Sequence, residues 1–160
     1  MRFPISYSII LFLTFMILLF VFYYFYKTNL IKFIGNLNNN LFKYSALICI
    51  FGFLIFYLYI LLKTNLTKED NDKIFINIIT IVICTILWII SSYYNIKILN
   101  ILFLFVLCVA NLYFIFLIKN LKEEKYKILK NISIIFLYYL LFHHLVIDLL
   151  LWNYYNQNII

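Results

Sequence analysis

The run Phe142-His143-His144-Leu145-Val146-Ile147-Asp148 sets three ionisable side chains inside an otherwise hydrocarbon stretch. His144 and Asp148 are four residues apart, so on an α-helix they share a face, Trp152 continues it one turn later, and His143 points about 100° away. A carboxylate beside an imidazole stabilises the charged ring and fixes its tautomer. That chemistry suits a proton relay, a ligand hydrogen bond or an axial bond to a metal or haem iron. The same residues also suit plain hydrogen-bonded glue between helices, and at the level of the sequence these readings stay open.

Little else in the chain supplies reaction chemistry. His143 and His144 are its two histidines, no HExxH or paired-acid motif accompanies them, and no metal site is predicted. Cys49, Cys84 and Cys108 fall in three different apolar runs and read as small buried hydrophobes, not as a disulfide framework. With two glycines in the chain there is no phosphate-cradling loop, and no nucleophile and base stand at a working spacing. The sequence therefore predicts a protein that is not an enzyme and carries no resident cofactor.

The elements that must position the His-Asp run are set by solubility. The 160 residues are 67% hydrophobic and 12% charged, against about a quarter charged in soluble domains. Lipid is the expected solvent. The apolar residues fall in five blocks, each long enough to cross a roughly 30 Å hydrocarbon layer as a helix. They predict an all-α fold, a single integral membrane domain over 1–160 with spans near 5–26, 44–62, 74–94, 98–118 and 132–152. The first reads as a retained signal anchor, because it is too long for a signal-peptide core and no small-residue cleavage site follows. The formal charge of +7 comes from lysines scattered through short loops, so a nucleic-acid partner is not expected.

Polar residues inside the spans mark faces that should avoid lipid. Ser45, Cys49 and Gly52 line small side chains along one face of the second span and predict a close helix contact, either within the chain or with another membrane protein or a second copy. Asn77, Thr80, Cys84, Trp88 and Ser91 form a stripe on the third span, suited to helix packing or to a cavity wall. Only 95–97 separate the third and fourth spans, so these should pair as an antiparallel hairpin. Asn111, deep in the fourth, wants a hydrogen-bond partner, for which the third-span stripe is the nearest candidate. The loop 27–43 is long enough for a short interfacial helix. The connector 119–131, with Glu123 four before Lys127, reads as a solvated basic face.

Five spans in about 160 residues, with a long first loop, a tight hairpin and aromatic-rich helices, resemble the tryptophan-rich sensory protein and translocator protein (TspO/MBR) family. Tyr44, Leu47-Ile48 and Phe51-Gly52 stand at a spacing similar to that family's second-helix motif, and Thr85, Trp88 and Tyr93-Tyr94 to its third. Tyr138-Tyr139, Phe142 and Asn153-Tyr154 stand similarly to its fifth. The family's proline-rich first loop is missing, Pro4 being the one proline. The resemblance implies a pocket among the helices for a flat lipophilic ligand, such as a porphyrin, haem or a sterol. The lining would include Tyr44, Trp88, Asn111, His143, His144 and Asp148.

Nine of the thirteen lysines and arginines fall on the side of the N-terminus and of loops 63–73 and 119–131. The positive-inside rule then predicts a cytoplasmic N-terminus and a non-cytoplasmic C-terminus. Both sequons, at Asn65 and Asn131, lie on the predicted cytoplasmic side. Glycosylation mapping in a eukaryotic membrane should leave both unmodified, and glycan on Asn65 would reverse the orientation.

Overall fold

The structure, a computed structural model, describes residues 4–27, 39–63, 66–94, 96–122 and 125–152. The described residues form five helices: α1 (Ile5–Lys27), α2 (Asn39–Leu62), α3 (Lys68–Tyr93), α4 (Lys97–Asn120) and α5 (Lys127–Phe142), the last continuing as a π-helix over His143–Trp152. Three of these helices contain stretches long and apolar enough to cross a membrane, Lys68–Ser92, Lys97–Asn120 and Lys127–Leu149, by length and composition. In α1 and α2 the described apolar stretches are shorter, Ile5–Ile17 and Leu47–Leu62. The Gly35 turn, the Glu123–Lys127 pair, the Asn65 sequon and the Asn153-Tyr154 pair lie wholly or partly outside the described residues.

The α3 helix starts six residues before the apolar block that was expected to begin at 74. Local chemistry explains the difference. Thr67 Oγ1 accepts from the Asp70 backbone N–H at 3.0 Å and the Asp70 carboxylate accepts from the Thr67 N–H at 3.1 Å, closing a capping box. Glu69 and Asp70 also bring negative charge to the positive end of the helix dipole.

The helices close into a ring in the order α1, α3, α4, α5, α2. The α3–α4 hairpin is tied at its turn by Ser91 and Ser92, whose hydroxyls donate to Asn100 Oδ1 at 2.6 and 2.8 Å. Deeper in, Asn77 Nδ2 donates to the Ala110 carbonyl at 3.1 Å. Asn111 does not reach across to the α3 stripe; its Nδ2 donates to the Leu107 carbonyl one turn back on its own helix. On the other side of α3, Tyr7 of α1 stacks on Phe75 at 4.2 Å and donates its hydroxyl to Asp72. The α1–α2 seam is made by the stacked rings of Phe15 and Phe53 and by Tyr57, which donates to the Ser8 carbonyl. Phe56 meets Phe114 edge-on in the middle of the ring, within a core that includes Tyr59, Ile60, Leu104, Leu107 and Ile118.

Polarity is distributed inside out. Ser45, Asn71, Asn77, Ser91, Asn100, Asn111, Ser133, His143, His144 and Asp148 are all buried, while Phe105, Phe116 and Ile98 stand 60% or more exposed. A water-soluble protein would not offer such an apolar exterior. In the connector read as a solvated face, Lys119, Lys122, Lys125 and Lys127 are exposed, while Lys130 and, after α2, Lys63 turn to backbone carbonyls. Lys63 is buried and donates to the Lys122 carbonyl, and Lys130 donates to the carbonyls of Lys119 and Leu121. Cations that satisfy the last carbonyls of a helix also sit at the negative end of its dipole.

At Gly52, α2 and α5 pack closely. A Cβ built on Gly52 would fall 2.6–2.7 Å from Phe136 side-chain carbons, so the small-residue face is filled by α5 of the same chain. Gly52→Ala should lower stability by about 1–3 kcal/mol through overpacking. Combining it with Phe136→Leu should restore most of the loss, as checked by thermal unfolding in detergent.

Candidate functional site

The site is built where α2 meets the π-helical end of α5. Ser45 lies on the inner face of α2, one residue beyond Tyr44, and is 2% exposed. A rotation of about 100° per residue turns its neighbour the other way. Tyr44 is 65% exposed, which removes it from the predicted lining.

In an ordinary α-helix His143 and Asp148, five residues apart, would face different directions. The π winding pairs residues i and i+5 and brings the two into line. This corrects the expectation that His143 points away. His143 Nε2 lies 3.5 Å from Asp148 Oδ2, and His144 Nδ1 lies 2.9 Å from the same oxygen. On its other side His143 Nδ1 is 2.7 Å from Ser45 Oγ, which is 2.8 Å from the Tyr139 hydroxyl. The two imidazole rings meet edge-on at 5.7 Å.

The result is one buried chain of polar groups: Tyr139, Ser45, His143, Asp148, His144. A carboxylate accepts hydrogen bonds and donates none, so with Asp148 in its charged form the directions are these. His144 donates through Nδ1–H, His143 turns Nε2–H toward Asp148, and His143 Nδ1 accepts from Ser45. Ser45 in turn accepts from Tyr139, and His144 Nε2 is left as the lone-pair end of the chain. α4 also packs against the π-helical segment, so α2 and α4 both border the part of the last helix that carries Asp148.

Neither a family model, nor a curated protein, nor a solved structure matches the chain.

The structure brings together His143, His144 and Asp148 and adds two residues that sequence reasoning had assigned elsewhere. Ser45 was read for packing alone and Tyr139 as part of an aromatic pair. The available signal was that Ser45 is a hydroxyl among the small residues of α2. Trp88 packs half-buried against the core of the ring, and Asn111 is fully buried on α4 next to that core. Among the described residues no group of three or more His, Cys, Asp and Glu side chains is arranged to hold a metal ion.

Two checks follow from the hydrogen-bond directions. In histidine ¹⁵N spectra His144 should appear as the Nδ1–H tautomer and His143 as the Nε2–H tautomer; Nε2–H at both rings would contradict the geometry. Ser45→Ala should cost about 1 kcal/mol for the lost bond and shift the His143 signals, with His144 little changed.

Proposed function

We propose that this chain is a five-helix integral membrane protein whose buried Tyr139–Ser45–His143–Asp148–His144 chain stores and relays protons. The observation that supports this reading is the position of Asp148. One carboxylate oxygen faces two imidazole nitrogens, and the far nitrogen of one ring continues through Ser45 to Tyr139. Ionisable groups at membrane depth are costly and are retained mainly where they serve a site.

The proton bookkeeping closes on these residues. A proton taken up at His144 Nε2 releases the Nδ1 proton to Asp148 Oδ2, which becomes a neutral carboxyl. From the other end, a proton arriving at the Tyr139 oxygen lets Tyr139 pass its own to Ser45, Ser45 pass its own to His143 Nδ1, and His143 release its Nε2 proton to the same carboxylate. Asp148 is thus loaded from either end, and passage from one end to the other is completed when the imidazole rings flip and the hydroxyls turn back. Each transfer makes and breaks one bond to hydrogen and needs no other reactant.

The lipophilic-ligand reading implied by the TspO/MBR resemblance is less well supported by the geometry. It requires Tyr44, Trp88, Asn111 and the histidines to line one pocket, yet Tyr44 turns outward and the Asn111 amide is engaged by its own helix. Assembly through the Ser45/Cys49/Gly52 face would compete with α5, whose Phe136 already covers Gly52.

Reconstitution in liposomes with an internal pH dye tests the relay. Asp148→Asn retains shape and hydrogen bonding but cannot take up the proton, and should lower proton flux at least tenfold. Flux equal to wild type would reject the reading.

A further inference from the structure

The relay chain occupies the half of the bundle near the C-terminal end of α5, and its reach toward the opposite face depends on what borders it there. Four asparagines are buried on α3 and α4, Asn71, Asn77, Asn100 and Asn111, and all but Asn77 carry a side-chain atom without a hydrogen-bond partner among the described residues. Asn111, 0% exposed, donates to the Leu107 carbonyl but leaves Oδ1 without a hydrogen-bond partner. Asn77 donates to the carbonyl of Ala110, the residue beside Asn111, so the two lie at one level. Asn71, 1% exposed, has neither Nδ2 nor Oδ1 paired with a described group.

Their positions extend the path already described. α4 packs against the π-helical segment that carries Asp148, and Cys108, buried on α4, precedes Asn111 by three residues and shares its face. Asn71 lies six residues before Asn77 on α3, about 9 Å along the helix axis and toward the Thr67 cap. Six residues also turn the helix by about 600°, so the two side chains stand about 120° apart; three hydrogen bonds of about 2.9 Å, through two bridging waters, cover the rise, and the file bends around α3 as it climbs. Buried polar groups that lack protein partners are where internal water is held, and Asn71 and Asn111 offer both donor and acceptor atoms for it.

We propose that Asn111, Asn77 and Asn71 hold an internal water file that continues the relay from the neighbourhood of Asp148 to the face of the bundle where α3 begins, so that the proton path crosses the membrane. The proposal rests on the relay reading and adds its substrate route: water and the hydrated proton, admitted between α3 and α4. Asn77 would fix the seam through its bond to Ala110, while Asn71 and Asn111 would bind the water.

The test uses the full chain in liposomes, with proton flux and water-edited solid-state NMR of the asparagine side chains read together. In the wild type the carboxamides of Asn71 and Asn111 should show water contacts. Asn71→Leu and Asn111→Leu should each cut flux at least tenfold while leaving the His144 ¹⁵N tautomer signature unchanged, and Asn71→Ser should keep flux within about threefold of wild type. Dry carboxamides in the wild type, or undiminished flux in both leucine variants, would overturn the file. Wet carboxamides in a wild type that conducts no protons would reject the relay, and with it the crossing path.

Discussion

A buried carboxylate has to be answered, and the way Asp148 is answered governs the arrangement of half the bundle. Removing an ion of this size from water costs several kcal/mol even after relaxation. Asp148, 2% exposed, offsets that cost with two imidazoles, and one of these needs a partner of its own on α2. Ser45 can supply it only if α2 lies close against α5, which in turn requires a residue without a side chain where Phe136 passes Gly52. The polar chain and the tight helix contact therefore belong to one physical solution, in which electrostatics specifies the partner and packing permits the approach.

Much of the architecture was legible because solubility in lipid leaves the chain few choices. Long apolar blocks have to become helices, and 95–97 is too short to separate α3 from α4. Where the sequence was misread, the deciding force was local or tertiary. The capping box at Thr67 and Asp70 was present in the sequence, but the polar composition of 63–73 outweighed it, and α3 begins earlier for that reason. Lys130, in the connector read as a solvated face, turns instead to the carbonyls of Lys119 and Leu121 at the end of α4, groups that a hydropathy pattern does not reveal.

The site was legible in part. His144 and Asp148 follow from i, i+4 spacing, and that pair is present at 2.9 Å. His143 was misplaced because an α-helical period was assumed where the backbone winds with the wider π period, a feature that residue types do not encode. Tyr44 and Ser45 show how steep such errors are, since adjacent residues on one helix end on opposite faces and only helix rotation decides which is inside. Asn111 was sound as a buried amide and wrong in its partner, because a carbonyl one turn back on its own helix was closer than any group across the seam.

The α2–α5 seam also bears on how the molecule is made. Synthesis proceeds from the N-terminus, so α2 leaves the ribosome well before α5 exists. Until α5 packs, the Ser45 hydroxyl and the bare backbone at Gly52 lack the partners that Tyr139, His143 and Phe136 supply. The ring is thus closed when α5 docks on α2, and a nascent chain halted before Phe136 would leave a polar notch open on that helix.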